Sequence, residues 1–333
     1  MELSEDELIA AIRKLLAGEQ PGVALGIGDD AAVVEAGTGQ QILTTDMMIE
    51  GVHFERGSIS ARDLGAKAIV VNVSDMAAMA ASPRYALVSI GLPRDVEASW
   101  VMELYGGMRA ACDEYALSLV GGDTNRSEAV VLSVTVVGEV APGRAVTRSG
   151  AQPGDLIVVT GSLGAAAGGL ALSRALRATA TRALSQPWWR ELLDALARPI
   201  ARVGEAQTLA QVGVTSMIDL SDGLAKDLSR LCAESDVGAR VDLGKVPVAG
   251  ALRDGAVALG VDPVELAVGG GEDYELLATI DLTDLERARG ELDERFGTSL
   301  TDVGVITEGR GLVAVGVDGR ETPLRPLGWD HFA

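Results

Sequence analysis

Acidic side chains stand beside small residues in six short segments of this chain. Glycine and serine let a backbone approach a ligand closely and leave N–H groups available. Aspartate supplies the hard oxygen ligands that Mg²⁺ prefers, and Mg²⁺ in turn holds phosphate groups. Because carboxylates gathered in one cleft would repel one another, six such segments in one chain predict bound divalent cations. The segments are GIGDD (26–30), TTD (44–46), NVSD (72–75), GGDT (121–124), DLSDG (219–223) and GGGED (269–273).

Each candidate taken alone also has an ordinary structural explanation. Aspartate beside glycine is common in turns, and aspartate or serine before a helix is a common N-cap. His53 is one of two histidines and fits a structural role, and Arg148 fits an exposed linker. GSLG (161–164) precedes a predicted helix, where it is either a plain turn or an anion site. Spacing alone leaves these alternatives open.

The composition excludes several classes of protein. Among 333 residues, 47% are hydrophobic and 23% are charged, which indicates a globular protein long enough for two domains. With 48 acidic and 28 basic residues the net charge is −20, which argues against nucleic-acid and anionic-membrane partners. The N-terminus has no signal-peptide pattern and no apolar run spans a membrane. We therefore expect a cytoplasmic protein whose two cysteines, Cys112 and Cys232, are buried thiols.

Several familiar catalytic motifs are missing from the sequence. It contains no G-x-x-x-x-G-K-[ST] phosphate loop, no kinase HRD or DFG motif and no G-x-S-x-G nucleophile elbow. GIGDDA matches G-x-G-x-x-A, but the residues after it read as a strand and its two aspartates would repel a pyrophosphate. We therefore reject a dinucleotide-binding fold, and two histidines are too few for a His-rich zinc site.

Helix and strand patterns alternate along both halves of the chain, which indicates an α/β or α+β protein. The Gly-, Pro- and Arg-rich segment 141–155 predicts a boundary between domains 1–144 and 145–333. Predicted helices cover 4–18, 60–70, 96–116, 185–196, 204–212, 222–234 and 262–267, with others opening at GSLG and at Thr283. Predicted strands cover 31–34, 41–45, 85–92, 117–120, 130–140, 156–160, 214–218, 275–280, 302–306 and 312–317.

In their order and spacing, these segments resemble the thiamine-monophosphate kinase family. That family belongs to a superfamily of ATP-using synthetases that includes aminoimidazole ribonucleotide synthetase and selenophosphate synthetase. Selenophosphate synthetase would carry a reactive cysteine near its first glycine-rich loop, whereas no cysteine precedes Cys112 here. One departure is Ala80, where the family usually has glycine. The matching segments are GIGDDAAVV, TTDMMIEGVHF, KAIVVNVSDMAAMAASP, GGDTNRS, VTRSGAQPGD, MIDLSDGLAKDL, GGGEDYELL and GWDHF.

The resemblance implies phosphorylation of thiamine monophosphate by ATP, with several Mg²⁺ ions, and roles for individual residues. Implied metal positions are Asp30, Thr44, Thr45, Asp46, Asp75, Asp123, Asp219 and Asp222. Implied ATP positions are Tyr105, Gly121, Gly122, Arg148 and Ser221, and implied substrate positions are His53, Glu272 and Trp329. The residues implied to be catalytic are Asp46, Asp75, Asp123 and Arg148.

The resemblance also implies a two-domain fold like that of aminoimidazole ribonucleotide synthetase. Domain 1–144 would bind ATP and Mg²⁺ and form a β-rich homodimer interface, and domain 145–333 would complete the substrate site. The chemistry agrees, because the acceptor is a phosphate monoester that is mostly a dianion at neutral pH and needs no general base. The remaining obstacle is repulsion between two polyanions, which Mg²⁺ and Arg148 would reduce. Trp329 would stack on the cationic thiazolium ring, with Glu272 nearby.

Two other functions stay open at this point. A different enzyme of the same superfamily would phosphorylate a carbonyl or amide oxygen of another substrate. A non-catalytic acidic protein would bind divalent metal or nucleotide without turnover. The second alternative accounts for the charge but not for the ordered GGDT, VTRSG, GGGED and GWDHF segments.

Overall fold

The structure, a computed structural model, describes residues 5–18, 20–27, 31–179, 186–326 and 328. Its helices are Glu5–Leu15 (α1), Ala61–Ala78 (α2), Ala98–Glu114 (α3), Ala165–Thr179 (α4), Pro187–Ala197 (α5), Val203–Val212 (α6), Leu224–Ser235 (α7), Gly250–Leu259 (α8), Pro263–Gly269 (α9) and Leu285–Phe296 (α10). Its strands are Val23–Leu25 (β1), Val33–Val34 (β2), Gln40–Ile49 (β3), Ser82–Leu92 (β4), Ser118–Arg126 (β5), Val131–Val140 (β6), Leu156–Thr160 (β7), Ser216–Asp219 (β8), Gly238–Asp242 (β9), Leu276–Ile280 (β10), Leu300–Thr307 (β11), Gly311–Val315 (β12) and Glu321–Pro323 (β13).

The chain forms two compact units. Residues 1–76 and 81–144 make the N-terminal unit, and residues 77–80 and 145–333 make the C-terminal unit. Both contain helices and a sheet, which confirms the predicted mixed α and β class. In the described part of the chain, no helix is both long enough and apolar enough to span a bilayer.

The N-terminal unit is built on a four-stranded sheet in the order β3-β6-β4-β5. β6 pairs antiparallel with β3 and β4, whereas β4 and β5 run parallel. Alternate residues of β6 are buried on one face of the sheet, as Leu132 and Val134 show. Helix α2 packs against α3 at two glycines, because a Cβ on Gly65 would overlap the backbone of Leu104 and one on Gly107 would overlap the backbone of Arg62.

Helix α2 corrects the sequence-based interpretation of NVSD. The pattern predicted a helix over 60–70 and a strand junction at 72–75, but α2 continues unbroken to Ala78. The helix is buried around most of its surface, so it lacks the polar stripe that marks a surface helix. TTD and GGDT likewise lie inside β3 and β5 and not at strand ends. The predicted N-cap is confirmed, since the Ser60 hydroxyl accepts a hydrogen bond from the Asp63 amide at 3.0 Å.

The C-terminal unit is built on a seven-stranded sheet in the order β13-β12-β9-β11-β7-β10-β8. All neighbouring strands pair antiparallel except β9 and β12. Both faces are covered, because Ile157 and Val159 of β7 join one apolar core while Val158 joins another. Leu231 of α7 belongs to the first core, and Leu292 of α10 belongs to the second. The sequence patterns missed β9 and α8.

The helix caps give mixed results. Asp262 caps α9 as predicted, since its carboxylate accepts from the amides of Val264 at 2.8 Å and Glu265 at 3.0 Å. The predicted box of Thr283 with Glu286 is wrong, because the Thr283 hydroxyl donates to Asp281 and α10 has Asp284 at its N-cap position. The box predicted at Ser4 lies outside the described residues. Both cysteines are buried, as expected.

Candidate active site

Two of the acidic segments meet where β3 packs on α2. The Thr44 hydroxyl donates to the Asp75 carboxylate at 2.6 Å, and the Asp46 amide donates to the Asn72 side-chain oxygen at 3.0 Å. Thr44 and Asp46 are two apart on a strand and share one face, and Asn72 and Asp75 are three apart on one face of a helix. Sequence reasoning missed Asn72, although its i, i+3 spacing from Asp75 was a usable signal. We call these four residues the β3–α2 junction.

The donor chemistry of the β3–α2 junction fits Mg²⁺. It provides two carboxylates, Asp46 and Asp75, beside the Thr44 hydroxyl. Mg²⁺ commonly takes one or two carboxylates and completes its octahedron with water and substrate phosphate oxygens. No group of three or more His, Cys, Asp or Glu side chains that suits a metal comes together among the residues the structure describes. With two carboxylates and one hydroxyl, the junction has donor types that Mg²⁺ takes together with phosphate oxygens.

The structure does not bring every predicted metal residue to this junction. Thr45 follows Thr44 on the strand, so its side chain faces the opposite side of the sheet, where its hydroxyl donates to the Val134 carbonyl at 3.0 Å. Asp123 lies on β5, three strands from β3, opposite Ser89. That separation is about 14 Å across the sheet. Asp30 and Trp329 lie outside the described residues.

The predicted ATP residues of the N-terminal unit occupy tightly packed positions. A Cβ on Gly122 would overlap the carbonyl oxygen of Val88, so glycine lets β5 approach β4 here, directly after Gly121. Tyr105 lies in α3 with only 4% of its surface exposed. Burial raises the pKa of Tyr105 to about 12, so its hydroxyl stays protonated at neutral pH.

His53 lies in a turn that follows β3, and its ring is held by the backbone at the end of that strand. Its Nδ1 accepts a hydrogen bond from the Ile49 amide at 3.0 Å. A neutral ring with Nδ1 as acceptor carries its proton on Nε2. The base of the turn is fixed as well, because Glu50 accepts from Arg56 at 2.5 Å and from the Val130 amide at 3.0 Å. The contacts of this turn therefore fix the orientation of the His53 ring.

In the C-terminal unit, DLSDG and GGGED lie side by side. The Glu272 amide donates to the Ser221 carbonyl at 2.8 Å, and the Tyr274 amide donates to the Leu220 carbonyl at 2.9 Å. A Cβ on Gly271 would overlap the Ser221 carbonyl, so glycine is required by this close approach. The structure thus brings together Ser221 and Glu272, which the resemblance assigned to different ligands.

The turn that carries Asp222 is fixed by residues that sequence reasoning missed. Asp227 has no exposed surface, and its carboxylate accepts from the amides of Asp222 at 2.9 Å and Gly223 at 3.0 Å. Arg230 pairs with Asp227 at 2.7 Å and with Asp222 at 2.6 Å. Desolvation by burial raises the pKa of Asp227 to about 6. Asp219, at the end of β8, is 2% exposed.

Arg148 belongs to the exposed segment that opens the C-terminal unit. Its carbonyl accepts from the Ser235 hydroxyl at 2.8 Å, and the same hydroxyl oxygen accepts from the Gly150 amide at 3.1 Å. Gly150 has a φ of +127°, and a Cβ there would overlap the Thr215 carbonyl. The Ser235 hydroxyl at the end of α7 therefore fixes the backbone of VTRSG, while Arg148 is exposed to solvent.

The chain matches known proteins over nearly its whole length. A family model for the N-terminal domain of AIR synthase related proteins matches residues 28–140, and one for the C-terminal domain matches residues 152–317. The chain is 38% identical to the thiamine-monophosphate kinase of Aquifex aeolicus (strain VF5) over 331 residues, which covers 99% of each chain.

Two solved structures extend the likeness to the fold. A thiamine-monophosphate kinase from Stenotrophomonas maltophilia K279a is 36% identical with a TM-score of 0.83, covering 96% of this chain and 98% of that one. A structure described as AaThiL complexed with AMPPCP and TMP is 35% identical with a TM-score of 0.77, covering 99% and 98%.

The two family models identify the chain as a two-domain protein of the AIR synthase-related type. Because full-length identity exceeds a third, the chain belongs to the thiamine-monophosphate kinase family within that class. The resemblance seen in the sequence motifs and the fold it implied are confirmed.

Proposed function

We propose that this protein transfers the γ-phosphoryl group of ATP to the phosphate of thiamine monophosphate, giving thiamine diphosphate and ADP. The observation that carries this proposal is the 38% identity over 99% of both chains to a thiamine-monophosphate kinase. ATP as co-substrate is supported by the relative whose description names AMPPCP, a non-hydrolysable ATP analogue, together with TMP.

The reaction needs binding and charge neutralisation more than proton transfer. A phosphate oxygen of thiamine monophosphate forms the new bond to the γ-phosphorus, and the bond to the β–γ bridging oxygen breaks as ADP leaves. The attacking oxygen is already anionic at neutral pH, so no residue has to remove a proton. Catalysis then depends on alignment and on offsetting the repulsion between two anions.

We assign the β3–α2 junction to Mg²⁺ and its phosphate oxygens. Thr44 and Asp75 hold each other through their hydrogen bond, which fixes the carboxylate in one orientation. Mg²⁺ bound there would withdraw negative charge from the phosphate oxygens. The other proposed metal residues are Asp30, Thr45, Asp123, Asp219 and Asp222, and Asp46, Asp75 and Asp123 are proposed to be catalytic.

The remaining residues are assigned to the two substrates. Arg148 would donate to the transferred phosphoryl group, which its exposed side chain allows. His53 would donate from Nε2 to a phosphate oxygen of thiamine monophosphate. Glu272 and Trp329 would hold the organic part of that substrate. ATP is assigned to Tyr105, Gly121, Gly122, Arg148 and Ser221.

A chromatographic assay tests the proposal. The purified protein is incubated with ATP, Mg²⁺ and thiamine monophosphate, and thiamine diphosphate is quantified beside an EDTA control and a free-thiamine control. We expect product only with the monophosphate and metal. Folded protein that binds ATP without forming product would support a non-catalytic binding protein instead, and phosphorylation of a different acceptor would support another enzyme of the superfamily.

We also propose that the protein is a cytoplasmic homodimer joined through the open face of the four-stranded sheet. Leu43, Met47 and Leu87 are large apolar side chains on that face, with 65%, 53% and 41% of their surfaces exposed. Their register places them on the side opposite the buried face of β6. Exposed apolar groups gathered on one sheet face are typical of a protein interface, and a second copy offers a matching one.

The dimer is tested by light scattering on size-exclusion fractions. Leu43→Glu combined with Met47→Glu should halve the wild-type mass, because two charges would be buried without partners. Val257→Glu is the matched control, since Val257 is 95% exposed on α8. A wild-type monomer, or an unchanged mass in the double variant, would contradict the proposed interface.

A further inference from the structure

The segment that carries Glu272 has a backbone that ordinary residues rarely adopt. Glu272 has a φ of +68° and Tyr274 has a φ of +51°, both in the left-handed region although neither is glycine. Such conformations persist only where surrounding contacts hold them. Contacts of Asp273 and Glu275, which follow Glu272 in the same segment, hold this backbone in place.

Asp273 provides one of these contacts. Both oxygens of its carboxylate lie 2.9 Å from the Gly164 amide, next to the N-terminus of α4. The side chain therefore holds the segment against the N-terminus of α4 by hydrogen bonding. Burial raises the pKa of Asp273, and the backbone hydrogen bonds oppose that rise.

Glu275 provides the second contact through a two-pronged ion pair. Its carboxylate accepts from Arg202 twice, from Nε at 2.8 Å and from Nη2 at 2.6 Å. It also accepts from the Thr160 hydroxyl at 2.6 Å, and that hydroxyl oxygen accepts from the Leu276 amide at 2.8 Å. Glu275 is 7% exposed, so the pair is largely shielded from water. A paired fork of this kind fixes both position and orientation.

Arg202 is itself held from its other side. Its Nη1 lies 3.1 Å from a Glu205 carboxylate oxygen, and the same oxygen accepts from the Thr298 hydroxyl at 2.9 Å. The guanidinium thus links the start of α6 to the residue immediately before β10. Arg202, Glu272 and Glu275 all line one pocket of ≈ 190 Å³, which Ala166 and Ile200 also line.

We propose that the Arg202–Glu275 pair is a positioning device that sets the orientation of Glu272 and thereby the affinity for the organic part of thiamine monophosphate. The inference rests on the proposed function, since it takes Glu272 as a substrate contact. Neither Arg202 nor Glu275 needs to touch the substrate. The pair holds the residue immediately before β10, so the strained backbone that precedes it stays in the conformation that aims Glu272.

Binding measured by titration calorimetry tests this, because it does not depend on turnover. Glu275→Gln and Arg202→Lys each lose the two-pronged pair while keeping the side-chain volume. We expect each to weaken thiamine monophosphate binding about tenfold and to change AMPPCP binding less than about twofold. Arg289→Lys is the matched control, because Arg289 pairs with Asp302 at 2.5 Å elsewhere in the same unit and should change neither affinity.

A double-mutant cycle separates positioning from general damage. In a Glu272→Gln background, Glu275→Gln should cause no further loss of thiamine monophosphate affinity, because its effect passes through Glu272. Losses that add, equal losses for both ligands, or unchanged affinities in variants with wild-type circular dichroism would each overturn the inference. If Glu275→Gln does not fold, Arg202→Lys carries the same comparison.

The calorimetry also distinguishes this inference from the proposed function. If wild-type protein binds thiamine monophosphate but forms no thiamine diphosphate, the proposed reaction is contradicted but the positioning inference is not. If wild-type protein binds AMPPCP but not thiamine monophosphate, both the proposed reaction and the positioning inference are contradicted.

Discussion

At the residue scale, two carboxylates of the proposed site, Asp75 and Asp222, are held by a neighbouring side chain from another element. Thr44 holds Asp75 at 2.6 Å, and Arg230 holds Asp222 at 2.6 Å.

Ala80 has an unfavourable backbone conformation for an L-residue, with a φ of +56° just after the end of α2. Its amide bonds to Ala77 at 2.7 Å, and the Ala81 amide bonds to Met76 at 2.9 Å, which is the Schellman pattern. An L-residue there costs about 1 kcal/mol, which explains the glycine usual in the family.

Asp75→Asn and Asp46→Asn should each lower kcat/KM for thiamine monophosphate by at least about a hundredfold, because an amide is a poor Mg²⁺ ligand. The volumes are unchanged, so the melting temperature should stay close to that of the wild type. Asp95→Asn is the control, since Asp95 is an exposed carboxylate of the same unit, with 69% of its side chain exposed, that pairs only at the surface with Arg56. Near-normal turnover in both site variants would contradict the junction's role.

Asp273 predicts a pH effect on stability. Burial raises its pKa above the ordinary value of 3.8, so the folded protein keeps this proton at pH values where the unfolded chain has lost it. The wild type therefore loses stability as the pH rises from 3.8 through the raised pKa. Asp273→Asn has no such titration, so its unfolding free energy should improve relative to the wild type across that window. Urea denaturation at a series of pH values measures the difference, and a constant difference would contradict the raised pKa.

The two thiols should resist alkylation in the native protein. Burial raises the pKa of Cys112 to about 12 and of Cys232 to about 11, so thiolate is scarce and access is blocked. Mass spectrometry after iodoacetamide treatment at about pH 8 should find both unmodified until a denaturant is added. Rapid native labelling of either one would show that its surroundings are open.

At the element scale, the sequence predicted helices and strands that have a regular hydrophobic period and missed elements that lack one. The sequence placed the strands around 85–92 and 130–140 close to β4 and β6, because these runs are apolar or alternate. α2 was cut short because NVSD looked like a strand end, whereas tertiary burial favours helix there. β9 contains a glycine and two charges, and α8 contains two glycines, so neither pattern stood out.

The α2–α3 crossing predicts opposite effects for two neighbouring glycines. Gly107→Ala should destabilise the protein by about 1–3 kcal/mol, because the new methyl group would overlap the Arg62 backbone. Gly106→Ala should stabilise it by about 0.5–1 kcal/mol, since the nearest atom to its Cβ is the flexible end of Arg62 at 3.4 Å and alanine favours helix. Thermal and urea unfolding measure the stability of the two variants. Equal effects would show that α2 and α3 are not in close contact at Gly107.

At the scale of the whole molecule, the residue types of the six acidic segments predict a kind of chemistry, but their spacing does not predict which segments meet. Their residue types indicated phosphate and Mg²⁺ chemistry, and the structure joins TTD with NVSD and DLSDG with GGGED. Spacing gave no sign of these pairings, because residues 44 and 75, or 221 and 272, become neighbours only through tertiary packing. The Arg202–Glu275 pair was missed for the same reason, since its two members are distant in sequence.

Transfer of labelled phosphate tests the central claim most directly. With γ-³²P-labelled ATP, Mg²⁺ and thiamine monophosphate, direct transfer places the label in the terminal phosphate of thiamine diphosphate, and the yield equals the ADP formed. The label should not appear as inorganic phosphate in excess of a control without acceptor. Label released as inorganic phosphate, or carried into a different acceptor while thiamine monophosphate stays unchanged, would contradict the proposed reaction.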